Sequence, residues 1–216
     1  IYNGVDSSLF RPHNDVSALY QELEIKKDSL VVGMIGRVNA WKGQQDFLNA
    51  VAPVLQQNKQ VYVLLVGGVF KGEEWRWAQL ENQIAQSLNN ERIKLIGFRS
   101  DIQDIQSLID IFVLPSTEPD PFPTVVLEAM ASGNPIVGYR HGGVVEMVED
   151  HSSGLLARPN DVTDLSLQIN KLVKNKSMRG SMGKQSRKRE EQYFSIDAFI
   201  NKFEKQYKGM ILNENT

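Results

Sequence analysis

The strongest constraint in this chain is a spacing. Six short apolar runs recur along it, at 30–35, 61–66, 93–96, 111–114, 135–138 and 154–156. Segments of helical length and pattern separate them, at 44–57, 74–88, 102–108, 124–131 and 144–149, and another follows at 162–173. Runs such as LVVGMI and VYVLLV are apolar on both faces, with no polar residue at alternate positions. Strands of that kind must be covered on both sides, and alternation with helices supplies the cover. The sequence therefore specifies an α/β chain, a Rossmann-like doubly wound parallel sheet. Asp161 is placed to cap the helix at 162, and Gly133 followed by Pro135 ends the helix at 124. Two further helices, near 178–190 and 195–211, finish the chain. Ligands of such sheets bind beyond the carboxyl ends of the strands, so the chemistry is sought there.

The unbroken element spacing, over 216 residues with 41% hydrophobic content, points to a single domain spanning 1–216. A net charge of −2 and a pI near 6.0 do not favour a nucleic-acid partner. The absence of Cys excludes disulfides, thiolate chemistry and Cys-based zinc sites. No apolar run approaches the about 18 residues that span a bilayer. A reduced, cytoplasmic setting is expected. The chain opens on IYNGVDSSLFRP without an initiator Met and reads as a piece of something longer.

The first strand–turn–helix unit, VVGMIGRVNAWKGQQDF, looks like an anion site. Gly36 ends the strand, Arg37 follows, and Lys42-Gly43 opens the helix. A helix N-terminus already carries partial positive charge and free N–H groups, so a Lys there is locally unfavourable unless an anion joins it. Arg offers a planar fork for phosphate oxygens and Lys a point charge. The alternative is a solvated Arg and Lys in a turn. Neither a Walker A loop nor a GxGxxG fingerprint is present in the unit. A second turn, YRHGGVVEMV, follows the strand at 135–138; its Gly142 and Gly143 either admit a ligand to the backbone or simply make a tight turn. His141 there reads as a polar contact or a solvated loop residue.

Two carboxylates stand out. Glu128 lies among Val125, Val126, Leu127, Ala129, Met130 and Ala131 on a helix without a polar face. That position is costly unless the carboxylate is paired or hydrogen-bonded, either to a buried Arg or Lys or to the diol of a ribose. Asp120 sits between Pro119 and Pro121, close to Pro123, in backbone that these rings stiffen. Its alternative role is a turn or cap. A glycosidase would need its two carboxylates facing across a sugar bond, which this placement beside a phosphate site does not suit. Glu118-Pro119-Asp120 only loosely resembles a metal-binding pair, and no metal is expected.

Taken together, these stretches resemble the C-terminal, donor-binding half of the retaining family 4 (group 1) glycosyltransferases of the GT-B fold. The resemblance rests on NGVDSSLF at 3–10, GRVNAWKG at 36–43, VGG at 66–68, IGF at 96–98, IDIFVLPST at 109–117, DPFPTVVLEAMASGNPIV at 120–137, GGVVEMV at 142–148 and GLLARPND at 154–161. It implies a nucleoside diphosphate sugar as donor, with a UDP-sugar favoured and a GDP-sugar second, and no separate cofactor. It assigns Arg37 and Lys42, beside Gly36, to the diphosphate, and Glu128 to the ribose. The backbone around Gly97 and Phe98 would meet the base. Pro123, Thr124 and Val125 would lie near phosphates and ribose, and Gly142 and Gly143 near phosphates or sugar. Asp120 would touch the donor sugar, in a place where the family usually has Glu. Arg37, Lys42 and Asp120 are the catalytic candidates. The resemblance further implies an N-terminal acceptor domain as the partner of this one, residues 1–12 as the connection to it, and 178–216 as C-terminal helices. A fragment of this extent would bind donor without turning it over.

Between 171 and 189 stand eight Lys or Arg and no acid. Such a run is either a solvated helix pair or a contact with an anionic membrane surface, which would place the protein peripherally on the inner face of a membrane. On the last helix, Phe199, Phe203, Tyr207 and Met210 form an apolar face, expected to pack toward the N-terminal domain. Two other functions fit the same pattern: one half of a sugar-nucleotide epimerase or phosphorylase of this fold, or a non-catalytic nucleotide-sugar binding module.

Overall fold

The computed structural model describes residues 1–12 and 15–213. In chain order the elements are α1 (Ser17–Glu22), β1 (Leu30–Ile35), α2 (Gln44–Gln57), β2 (Val61–Val66), α3 (Glu74–Ala85), β3 (Ile93–Ile96), α4 (Ile102–Leu108), β4 (Ile111–Leu114), α5 (Thr124–Ala131), β5 (Ile136–Tyr139), α6 (Val144–Met147), β6 (Gly154–Ala157), α7 (Val162–Lys174), α8 (Lys176–Tyr193) and α9 (Ile196–Asn213). The strands form one sheet in the order β3-β2-β1-β4-β5-β6, parallel throughout. This is the expected doubly wound, Rossmann-like sheet. Its strand order reverses between β1 and β4, and a crevice opens at that switch point.

The period of two along each strand divides the core. Val32 and Met34 of β1 face α2 and α7, where Phe47, Val51, Leu55, Leu165, Ile169 and Leu172 complete one apolar cluster. Val31 faces the other way, into a cluster with Leu64, Phe112, Leu114, Val126, Leu127 and Met130. Strands covered on both faces have no polar side, which is why they read as continuous apolar runs.

The sequence and the structure differ at the edges of elements. β5 starts at Ile136, because Pro135 has no N–H for the ladder; its carbonyl instead accepts from Phe112 N at 3.1 Å. α3 stops at Ala85 rather than at 88, and α6 at Met147 rather than at 149. α1 has no counterpart in the sequence pattern: it is six residues long, lacks a side-chain cap and buries only Leu19. The caps read from sequence are present. Asp161 accepts from Asp164 N at 2.9 Å, and Gly133 adopts φ +78° after α5. α8 has a cap the sequence reading did not mark, Asn175, which accepts from Met178 N at 2.9 Å.

The segment before α1 is strapped onto the domain. Val5 N donates to Phe194 O at 2.9 Å, and Ile196 N donates to Val5 O at 3.1 Å. The Tyr2 ring stacks on Phe122 at 5.2 Å. Residues 214–216, assigned from sequence to the C-terminal helical region, lie outside the described residues, as do residues 13 and 14.

Candidate functional site

The carboxyl ends of the central strands open into a cleft of about 690 Å³. Gly36, Arg37 and Lys42 reach it from the turn after β1, and Phe98 from the turn after β3. Asp120 and Pro123 come from the loop before α5, and Thr124, Val125 and Glu128 from α5 itself. Residues that lie far apart in sequence thus share one wall.

The turn that delivers Lys42 is closed by its own hydrogen bonds. Asn39 Oδ1 accepts from the backbone N–H of Trp41 at 3.1 Å and of Lys42 at 2.9 Å. This is the local turn an Asn favours. Trp41 O accepts from Thr117 N at 2.7 Å, tying the turn to the end of β4. Gly43 caps α2 at φ +79°, and a Cβ there would fall 1.8 Å from Pro115 O. Only glycine fits that approach.

The two cations are held differently. Lys42 Nζ lies 2.5 Å from Asp120 Oδ2 and 4.3 Å from the centre of the Trp41 ring. Arg37 is exposed, with its guanidinium 3.8 Å above the Phe70 ring. Among the described residues it has no carboxylate partner, so its fork remains available to an anion.

Glu128 is half-buried on α5. Among the described residues no Arg or Lys pairs with it and no donor reaches it, so the buried ion pair weighed from sequence is not formed. Burial pushes its carboxyl above the usual carboxylate range. A carboxylate half-buried without a partner has acceptor capacity left unused.

Gly97, Gly142 and Gly143 are not part of the cleft lining. The last two brace the Asp120 loop from behind. Gly143 N donates to Asp120 O at 2.7 Å, and a Cβ on Gly143 would fall 2.0 Å from Pro121 O. His141 is not a solvated loop residue: both its ring nitrogens are buried without a hydrogen-bond partner, and its ring lies against Tyr139 at 6.2 Å. The lining also includes residues the sequence reading did not select, among them Trp41, Gly67, Gly68, Arg99 and Phe122. VGG at 66–68, at the end of a strand, was the available signal for the glycines. Arg99 is already engaged by Glu22 and Asp101. Among the described residues no three His, Asp or Glu side chains gather as a metal-ligand set.

The family model described as "Glycosyl transferases group 1" matches residues 15–189. A relative from Campylobacter jejuni, N,N'-diacetylbacillosaminyl-diphospho-undecaprenol alpha-1,3-N-acetylgalactosaminyltransferase, is 34% identical over 81% of this chain and 43% of its own length. The crystal structure of Anabaena Alr3699/HepE in complex with UDP and glucose is similar with a TM-score of 0.88 and 31% identity; the match covers 96% of this chain and 56% of that one. The C-terminal domain of a glycosyl transferase group 1 family protein from Francisella tularensis, solved alone, is covered completely, by 89% of this chain, with a TM-score of 0.80 and 23% identity. The chain spans about half the length of the curated relatives it matches.

Proposed function

The chain belongs to the group 1 glycosyl transferases, and on that premise we propose that its cleft binds the UDP portion of a UDP-sugar whose sugar passes to an acceptor hydroxyl. The observation that carries this reading is the convergence of Arg37, Lys42 and Glu128 around the start of α5, with Asp120 beside them, in one cleft. The similar Anabaena protein binds UDP together with glucose.

In this reading the diphosphate lies between Arg37 and Lys42. Thr124 and Val125, at the start of α5, border the same space, and the first N–H groups of a helix have no partner within it. Glu128 accepts the ribose hydroxyls, and Phe98, largely exposed at the rim, offers a face to the base. Asp120 meets the donor sugar.

As the C–O bond between sugar and phosphate breaks, negative charge grows on the leaving diphosphate and the sugar takes on oxocarbenium character. Fixed cations and helix N–H groups stabilise that charge without a metal ion; a single well-placed donor contributes roughly 10²–10³ in rate in comparable sites. The hexose is transferred with retention, and the acceptor hydroxyl arrives from an N-terminal domain of the same kind. That domain would also cover the apolar face of α9, where Ile200, Phe203, Tyr207 and Met210 are exposed. Residues 1–12 would join the two domains, in a cytoplasmic protein. This chain alone binds donor and does not turn it over.

Calorimetric titration with UDP, GDP and ADP tests the reading. UDP should bind, and Arg37→Ala and Glu128→Ala should each abolish most of the affinity. Arg37→Ala should spare uridine binding. Equal losses for uridine and UDP would remove Arg37 from the diphosphate site.

A further inference from the structure

A second concavity, of about 600 Å³, lies at the other end of the sheet. Asp110, just before β4, and Pro135, just before β5, bound it, so it opens at the amino ends of the strands, away from the cleft. Five cations line it: Lys176, Arg179, Lys184, Arg187 and Lys188.

Two of the five are committed to the fold. Arg179 donates to Leu172 O at 2.8 Å, and Arg187 donates to Phe10 O at 2.8 Å and Ser7 O at 3.1 Å. The three lysines are exposed and have neither an ion pair nor a hydrogen bond among the described residues. They fall at intervals of four along α8, with Gly180 completing the row, so they share one face. Like charges at that spacing repel, and Lys176 in the first turn also opposes the helix dipole. The acids nearby do not offset this. Asp110 accepts from Val31 N at 2.8 Å, and Glu191 is paired with Arg187 at 2.6 Å.

A second, independent feature is at the same wall. Ser132 is 4% exposed, and its buried hydroxyl has no hydrogen-bond partner. A buried hydroxyl left unpaired is costly and calls for an explanation. An anion with several oxygens seated in the groove would meet the lysine row, and a turn of the Ser132 side chain about Cα–Cβ would give its hydroxyl, closed to solvent as it stands, a partner.

We propose that this groove binds a phosphate-bearing anion, independently of the nucleotide cleft. A phospholipid headgroup and a free phosphorylated compound share this chemistry, and two probes separate them. One is co-sedimentation with phosphatidylglycerol-containing vesicles against pure phosphatidylcholine vesicles. The other is calorimetry with inorganic pyrophosphate, in an Arg37→Ala background that disables the other phosphate site. Binding to the anionic vesicles identifies a headgroup, and binding to pyrophosphate a free ligand. In either case Lys184→Gln with Lys188→Gln should lower the affinity about tenfold or more, since each lysine near an anionic surface contributes about fivefold. The melting temperature should not fall, and the UDP titration should not move. Ser132→Ala should also weaken binding several-fold. If neither probe binds at 0.1 M salt, or binding survives the double substitution, the proposal is overturned. Binding that needs the lysines but ignores Ser132→Ala is diffuse surface attraction and overturns the groove as a site.

Discussion

Lys42 Nζ lies 2.5 Å from Asp120 Oδ2, and the two side chains are only 19% and 12% exposed. The cleft therefore neutralises one of its own cations. A diphosphate entering it competes with Asp120 for Lys42 and is repelled by the same carboxylate. The two partners should respond to substitution in opposite directions. Lys42→Ala should weaken UDP binding about tenfold or more, because hydrogen bonds to charged groups contribute about 1.5–3 kcal/mol. Asp120→Asn should bind UDP as tightly as the unmodified chain or several-fold more tightly. Calorimetry on both variants decides. If both lose UDP affinity alike, the pair is scaffold rather than a competitor for the ligand.

Glu128 should trade stability for binding. Its folded-state pKa is raised above the ordinary 4.5 by burial. The folded state therefore favours the protonated form, and the ionised carboxylate costs stability above the raised value. That cost shrinks as the pH falls from the raised value to 4.5 and is absent below. Glu128→Gln should melt higher than the unmodified chain at pH 7, by roughly 2–4 °C for each kcal/mol relieved. The difference should vanish near pH 4. UDP affinity should drop in the same variant, since an amide is a weaker acceptor for a diol. Melting curves at several pH values check the first part. A variant less stable than the parent at pH 7 would mean that Glu128 has a stabilising partner in solution.

The legibility of this chain follows from what each feature depends on. The strands at 30–35, 61–66 and 111–114 agree with the sequence reading residue for residue, because a strand buried on both faces records its burial in every side chain; the edge strand at 93–96 agrees too, although only Ile93 of it is buried. α1 left no such record, with only Leu19 buried. Single residues of the site could be selected because their types are anomalous where they stand: a Lys at a helix start, a Glu in an apolar helix. Their pairings were not legible. Lys42 and Asp120 are 78 residues apart, and Arg37 rests on Phe70, which carries no signal of its own. Gly142 and Gly143 stand out in the sequence for what glycine permits. The neighbour they make room for is the Asp120 loop, and that is a fact of tertiary packing.

The turn carrying Lys42 should tolerate no side chain at Gly43. Its φ is +79°, and an added Cβ would sit 1.8 Å from Pro115 O, a backbone atom that cannot swing away. Gly43→Ala should cost about 2 kcal/mol or more through strain and displacement, and UDP affinity should fall with it as Lys42 moves. Gly97→Ala is the control. A Cβ there meets nothing within 4 Å, so its effect on stability should stay within about 0.5 kcal/mol. Thermal melts of both variants give the comparison, and equal losses would contradict the packing argument.

Arg187 holds three separate segments, and the geometry of its head group matters as much as its charge. It donates to Ser7 O at 3.1 Å, to Phe10 O at 2.8 Å and to Ala131 O, and it pairs with Glu191 at 2.6 Å. Beside it Glu190 is fully buried, accepts from Ser7 Oγ at 2.7 Å and has its carboxyl pushed up by burial. One planar fork thus fixes the N-terminal strap to α8 and to the end of α5. Arg187→Ala strands several carbonyls and leaves Glu190 with less compensation, which should cost about 3 kcal/mol. Arg187→Lys keeps the charge but cannot reach three carbonyls from one ammonium, so it should recover less than half of the loss. Melting temperatures at neutral pH, with limited proteolysis of the segment before α1, measure both. Full rescue by lysine would show that charge alone holds the strap.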